Sequence, residues 1–526
     1  MMYSCPVGTK PVVYSVPPGF LFCEFLFTHS GLTCYNVAKL AKILTCSVRA
    51  GRKDDCTMLG KPRHQMDMCH GSLADKILKF AIPLMASSIL QLLFNAADVI
   101  VVGRFAGKES LAAVGSTTSL INLLIALFVG LSVGTNVVVA RNLGGKRHDM
   151  VSKAVHTSIL MALVSGAVLA VFGAIMSHQL LVWMSSPEDV INLSTLYLRI
   201  YFLGMPATMA YNFGAAILRA QGDTQRPLFY LIIAGVVNVI LNLVSVILMG
   251  MGVAGVAMAT TISQYISAGL VLMCLSHEDG PLRLNLRNMH IDRHILGQIM
   301  EIGLPAGFQG IVFSLSNVLI QSSINSFGST VVAGSAASAN IENFVYQAMN
   351  AFYQTNLTFT GQNYGAGDCK RVDKSLIYCQ TFVIITGVVL GNLAYLFGHP
   401  LVSIYAPGEE DVIQQGIIRL GYIARTYALC GIMDTMVGSL RGLGYSVGPM
   451  IVSLIGACGL RIVWIFTIFQ VDRTPENLYI SYPISWIVTG AVHIIFFLVV
   501  RKKAFALVRA NSHKEVEGTH PEVSKS

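Results

Sequence analysis

The sequence predicts an all-α polytopic membrane protein, with twelve transmembrane helices in two six-helix bundles related by a pseudo-two-fold axis along the membrane normal. Three observations carry this. Apolar residues make up 54% of the 526 and charged residues only 12%, where a soluble globule has about a quarter charged; mean hydropathy is +0.62. Apolar runs of about twenty residues, enough to cross a ~30 Å hydrocarbon core as helix, recur along the chain. The second half also repeats the first. Ala81-Ile82-Pro83 returns as Gly303-Leu304-Pro305, Asn95 as Asn317, Asn142-Leu143-Gly144 as Asn363-Tyr364-Gly365, Leu218-Arg219 as Leu440-Arg441 and Gly222 as Gly444, at a spacing of 221 to 222 residues. Six spans per repeat give both halves one orientation, as in transporters built from parallel repeats.

Taken in order, residues 1–75 read as a poorly ordered N-terminal extension. They are rich in Pro, Cys and aromatics and interrupted by Pro17, Pro18 and Gly19. They lack the basic start and small-residue cleavage site of a signal peptide, and Met66 or Met68 is the expected native start. The N-terminal bundle covers residues 76–275, with spans near 77–103, 110–139, 152–175, 190–218, 228–249 and 253–275. A polar cytoplasmic linker, 276–296, follows. The C-terminal bundle covers 297–500, with spans near 297–326, 331–360, 375–398, 411–440, 449–470 and 480–500, and 501–526 form a cytoplasmic tail. Thirteen lysines and arginines fall in one set of loops, among them Arg141, Arg219, Arg371 and Arg441. Three fall in the other, Arg104, Lys108 and Arg473. The basic set and both termini are therefore expected in the cytoplasm of a plasma-membrane protein, a cell inner membrane in a two-membrane bacterium. The formal charge of +9 thus reports orientation and contact with anionic lipid, not a nucleic-acid partner. The eleven cysteines contain no CxxC pair, so they read as thiols packed like small hydrophobes. His290 and His294 in the linker are spaced for a helix face, but no carboxylate motif completes a metal site, and none is assigned.

Residues 77–104 organise the rest. This first span carries Gln91, Asn95 and Asp98 on one helical face. A carboxylate at the centre of a span costs about 2.5–3.5 kcal/mol on insertion scales, which marks it as a functional site. The repeats differ in charge: Asp98 matches Ile320, whereas Asn212 matches Asp434 and Asn122 falls near Glu342. Shared scaffolding explains repeated glycines and prolines but not unequal acids, so the bundles are expected to do different jobs. In span five, Asn238 and Asn242 sit one turn apart, and Thr260 in span six adds a hydroxyl. With Asp98 they offer oxygens and amide donors for a proton network or for Na⁺; the alternative is interhelical hydrogen bonding without further role. Gln91, Asn95, Asn212, Glu342 and Asp434 are the expected polar lining of a substrate cavity, with Phe344, Tyr346, Phe352 and Tyr353 on its C-terminal wall.

The run LLFNAADVIVVGRFAGKESLAAVG resembles the first hairpin of the MATE (multidrug and toxic compound extrusion) family, and LRAQGDTQRP and LRGLGYSVGP resemble its paired loop motifs. Asp98, Asn238, Asn242 and Thr260 resemble the cation site of the DinF-like branch, where some members carry an acid at the position of Asn242; Asp434 lies in the span that serves the NorM-like branch. The resemblance implies an efflux antiporter that exports small organic cations or amphiphilic drugs in exchange for H⁺ or Na⁺, with Pro83 as hinge of the first helix. It implies no enzyme activity and no cofactor beyond the coupling ion, and a monomer is expected. A lipid-linked oligosaccharide flippase of the same superfamily is the alternative. The higher-ranked charges within spans are acidic, which argues against it, though Arg199, Arg425 and Arg461 keep it open. A channel would need no asymmetric acids.

Overall fold

The computed structural model describes residues 66–517 except Ser185, Pro187 and Asp189, and among these the regular structure is helical with no strand. Residues 1–65 of the expected extension and 518–526 of the tail lie outside the described residues. The first lobe comprises α1 (Leu73–Phe105), α2 (Gly107–Gly144), α3 (His148–Trp183), α4 (Ile191–Leu203), α5 (Met205–Ala220), α6 (Gln225–Leu243), which runs on into a π turn at Val244–Leu248, and α7 (Gly252–Ser276). The second lobe repeats the order with α8 (Arg293–Asn325), α9 (Ser329–Gly365), α10 (Cys369–Leu396), the short α11 (Gly398–Ser403), α12 (Glu410–Tyr422) and α13 (Tyr427–Gly442). It closes with α14 (Val447–Ser453), a π segment at Leu454–Gly459, α15 (Leu460–Phe466), the one-turn α16 (Ile468–Val471) and α17 (Pro475–Glu517).

Among the described residues nine helices are long and apolar enough to cross a membrane. The other three expected spans are also helical, and each departs for a physical reason. Spans four and ten are broken, at Gly204 ahead of Pro206 and at the 3-10 turn Ala424–Thr426; a proline suits the first turn of a helix, where its missing N–H has no partner to lose. Span eight, α9, is unbroken over 37 residues but rich in Ser, Thr, Asn and Gln, because it faces the other lobe and a polar cavity more than lipid.

The repeat is visible in side-chain contacts. Asn136 donates to the Ala216 carbonyl at 3.0 Å, and its counterpart Asn356 donates to the Thr435 carbonyl at 2.8 Å. Gly222 and Gly444 both hold φ above +90°, the left-handed region where a Cβ is strained. Each lobe has its own apolar core. One is built around Ile159, Leu198, Phe202 and Phe213, the other around Ile320, Met433, Tyr479 and Trp486.

The lobes meet along the half of the molecule next to the arginine-rich loops, hereafter the basic face. There α2 crosses α8 at Gly130, Gly303 and Gly307, so closely that a Cβ on Gly307 would lie 2.5 Å from the Leu127 carbonyl oxygen. The inner half of α1 (Leu73, Ile77, Phe80, Leu84) packs against α9 and α10 of the second lobe. Phe80 meets Phe359 edge-on at 5.6 Å, a geometry worth about 0.5–1.5 kcal/mol beyond area burial. Thr358 donates to Asn136 at 3.0 Å across the seam. Past Pro83 the same helix changes partner: Val101 and Val102 belong to the first lobe's core.

Three expected boundaries move. Residues 66–72 are built into the helical body. Met68 is fully buried in the seam cluster, and the Arg371 guanidinium donates to the carbonyls of Met68, His70 and Gly71 at 2.9–3.0 Å. The 276–296 linker is folded onto the first lobe. Leu282 and Leu284 are buried, the Asn285 N–H donates to His156 and the Asp292 N–H to Thr157. The Asp292 side chain caps α8 by accepting from the backbone N–H groups of Ile295 and His294, which hold its carboxyl below the usual range. Finally, α17 continues to Glu517, and its residues Ala504 and Phe505 pack into the second lobe.

Candidate functional site

Asp98 lies in the outer half of α1, beyond the proline, where the helix packs on α6 and α7. Asn238 and Asn242 are one turn apart on α6, and helical spacing aims both at α1. Thr260 projects from α7. The structure brings these four together in a closed hydrogen-bonded ring. Asn242 Nδ2 donates to Asp98 Oδ1 and, at 3.2 Å, to Asn238 Oδ1. Asn238 Nδ2 donates to Thr260 Oγ1 at 3.3 Å, and Thr260 donates to Asp98 Oδ2 at 3.3 Å. Both asparagines are buried and Asp98 is half-buried. No lysine or arginine among the described residues pairs with Asp98, and Asn242 Oδ1 has no protein partner. The ring therefore holds one carboxyl group without a cationic partner, and a spare acceptor. Tyr197 and Tyr201, stacked 5.9 Å apart, stand on α4, which packs against the α7 helix that carries Thr260. Sequence reading missed both, and their four-residue spacing on a short helix was the available signal.

The other expected site residues divide. Gln91 and Asn95 sit on the exposed face of α1. Asn212 turns back to its own helix, donating to the Thr208 carbonyl at 2.9 Å. Glu342 and Asp434 both line a cavity of about 700 Å³ within the second lobe, and the first three residues do not. Glu342 is not a bare acid there. Arg419 grips it in a two-pronged pair at 3.0 and 2.9 Å and reaches Ser335 at 2.6 Å with its remaining nitrogen. Its charge is spent on that partner, which the expectation of an acid facing cargo did not include. Asp434 shares that lining with Tyr346. Of the expected aromatic wall, Tyr346 and Tyr353 line the cavity, whereas Phe352 belongs to the seam with Phe382 at 6.0 Å and Phe344 is not among the lining residues.

The loop motif LRAQGDTQRP has a structural job. Asp223, fully buried, accepts from the backbone N–H groups of Gln225 and Arg226 at 3.0 and 3.1 Å and so caps α6. Arg226 pairs with both Asp223 and Glu278, tying α6 to the linker.

Comparison with known proteins agrees with this architecture. The MatE family model matches residues 83–244 and again 305–467, once in each lobe. Among curated proteins the chain is similar to the probable multidrug resistance proteins YoeA and YpnP of Bacillus subtilis. They are 26% and 27% identical over 81% and 84% of this chain, and 93% and 98% of their own lengths are covered. Among solved structures, an outward-facing multidrug resistance MATE family transporter superposes with a TM-score of 0.78 at 22% identity, covering 86% of this chain and all of that one.

Proposed function

The chain belongs to the MatE family of multi-pass membrane transporters, and from that premise we propose that it is a secondary active multidrug exporter that expels amphiphilic drugs or organic cations in exchange for H⁺ or Na⁺ at the Asp98 ring. The carrying observation is the ring itself: a lone carboxylate without a cationic partner, held by three neutral polar side chains, in one lobe of a two-lobed molecule. Relatives named as multidrug resistance proteins support the cargo class. The Asp–Asn–Asn–Thr set supports the DinF-like branch.

The chemistry follows from the hydrogen bonds. Ionised Asp98 is an acceptor only, and the ring supplies donors to both its oxygens. Protonation turns one oxygen into a donor, and Asn242 Oδ1, which lacks a protein partner, can receive it once the amide turns over. Either that rearrangement or a cation among the ring's oxygens alters how α1 packs on α6 and α7. Pro83, which cannot donate to the Lys79 carbonyl, sits where α1 passes from one lobe to the other. It is the hinge through which a change at Asp98 reaches the seam. The basic face is cytoplasmic in this scheme, both termini with it, in the plasma membrane. Asp98, in the half of α1 away from that face, then meets the external ion when the transporter faces outward. One charge moving inward across 100 mV supplies about 2.3 kcal/mol to drug export.

Efflux of a cationic dye from proteoliposomes, under an imposed pH gradient and then a sodium gradient, tests this. Wild type responds to one of them, and Asp98→Asn inserts and folds but responds to neither. Gradient-driven efflux by Asp98→Asn at the wild-type rate overturns the proposal. The flippase reading is favoured by one observation, the arginines of the second-lobe cavity, and lipid-linked oligosaccharide translocation without any gradient would support it.

A further inference from the structure

The two lobes differ in the charged groups they hold within their helices. In the first, Asp98 stands without a cationic partner. In the second, its counterpart Ile320 lines a cavity whose charged side chains are three arginines and two carboxylates. Glu342 neutralises Arg419 by the two-pronged pair. What remains is Asp434 against Arg441 and Arg461, an excess of one positive charge. Both of these arginines are more than nine-tenths buried, and their hydrogen bonds go to neutral groups. Arg441 donates to the Tyr353 hydroxyl at 2.7 Å and to Gln309 Oε1 at 2.8 Å. Arg461 donates to Ser485 at 2.8 Å. Arg441 Nε and Arg461 Nη2 have no protein partner. The Arg461 guanidinium lies over the Tyr482 ring at 4.1 Å and beside Trp486 at 5.5 Å, and Trp486 stacks on Tyr427. A buried guanidinium with an open donor matches an anionic oxygen group, and the adjoining rings suit a planar apolar body. At about 700 Å³ the cavity has the size of a drug-sized ligand site.

We propose that the second-lobe cavity binds the anionic end of an aromatic cargo, a carboxylate or sulfonate on a planar ring system, through Arg461 and Arg441. Zwitterionic or anionic aromatic amphiphiles are then preferred over simple organic cations. This deepens the export reading and takes its direction of transport from it, while the binding chemistry stands apart from ion coupling.

The test uses two dyes that differ in one group, rhodamine B with its free carboxylate and the ethyl ester of rhodamine B. Binding to the purified full-length protein is read by fluorescence anisotropy without any ion gradient. Wild type is expected to bind the carboxylate dye at least about tenfold more tightly than the ester. Arg461→Gln weakens binding of the carboxylate dye about tenfold more than binding of the ester, which removes that preference, and Arg461→Lys keeps part of it. Asp434→Asn removes the opposing charge and sharpens the preference, which keeps the test alive should Arg461→Gln fail to fold. Equal binding of the two dyes by wild type overturns the proposal, as does a loss in Arg461→Gln common to both dyes, or a weakened preference in Asp434→Asn. Displacement of rhodamine B by dihexanoyl phosphatidylglycerol but not by naphthoate would assign the anion to a lipid headgroup and refute the aromatic cargo. Because no gradient is present, failure of coupling at Asp98 leaves these outcomes untouched.

Discussion

The crossing of α2 and α8 allows a sharp prediction. A methyl group on Gly307 would lie 2.5 Å from the Leu127 carbonyl oxygen and 2.7 Å from Leu127 Cα. Carbon atoms rest about 3.5–4.0 Å apart, so Gly307→Ala must part the two backbones by about 1 Å. Overpacking of this kind costs about 1–3 kcal/mol. The crossing joins the lobes, so in the proposed exchange scheme the cost falls on the state in which the basic face is closed and is relieved when the lobes rock apart. An equilibrium between the two states then shifts by about 5- to 150-fold. Hydrogen exchange over residues 137–145 and 357–365, which line the seam, should accelerate by that factor, while exchange in α3 and α4 stays as it was. Gly173→Ala is the control. Its added methyl collides with the Phe202 ring inside the first lobe, so it lowers the thermal midpoint without opening the seam. If Gly307→Ala behaves like that control, with a lowered midpoint and unchanged seam exchange, the two-state account of the interface is wrong.

Other outcomes follow from single contacts. Arg419→Met strands Glu342 as a buried charge and should cost about 3–5 kcal/mol, read as a loss of thermal midpoint in detergent; adding Glu342→Leu should recover most of it. Asp223→Ala removes the cap of α6 and should cost about 1–2 kcal/mol of stability, while dye efflux per folded molecule is unchanged, because the loop motif holds the scaffold and not the cargo. Thr260→Val keeps the shape but removes the hydroxyl that donates to Asp98. A hydrogen bond to a charged group is worth about 1.5–3 kcal/mol, so gradient-driven efflux should fall by about 10- to 150-fold with little change in thermal midpoint.

Much of this was legible in the sequence because membrane helices must satisfy their own backbone and repeats must share a scaffold. The offset between Pro83 and Pro305, or Gly222 and Gly444, is enough to draw two lobes. The ring was legible for a related reason. A carboxylate in a span is costly enough to stand out, and Asn238 and Asn242 announce a shared face by their spacing. Partners across lobes were not legible. Nothing adjacent to Glu342 in the chain shows that Arg419 neutralises it, and nothing near Arg461 shows that it ends beside Tyr482 and Trp486. Such pairings depend on where a helix is rotated, which hydropathy does not encode. The same limit hid the change of lobe along α1, since both of its halves are apolar for different neighbours. Residues 66–72 looked like part of a loose extension because their order comes from Arg371, three hundred residues away in the chain.

The most direct measurement asks whether an ion leaves Asp98 when cargo binds. Saturating drug is added to purified protein in weakly buffered detergent solution, once with a pH indicator in sodium-free medium and once with a sodium electrode. The account predicts release of about one H⁺ or one Na⁺ per wild-type molecule and none from Asp98→Asn, which still binds the drug. Equal release from both proteins, or cargo binding by wild type with no ion released, would contradict it.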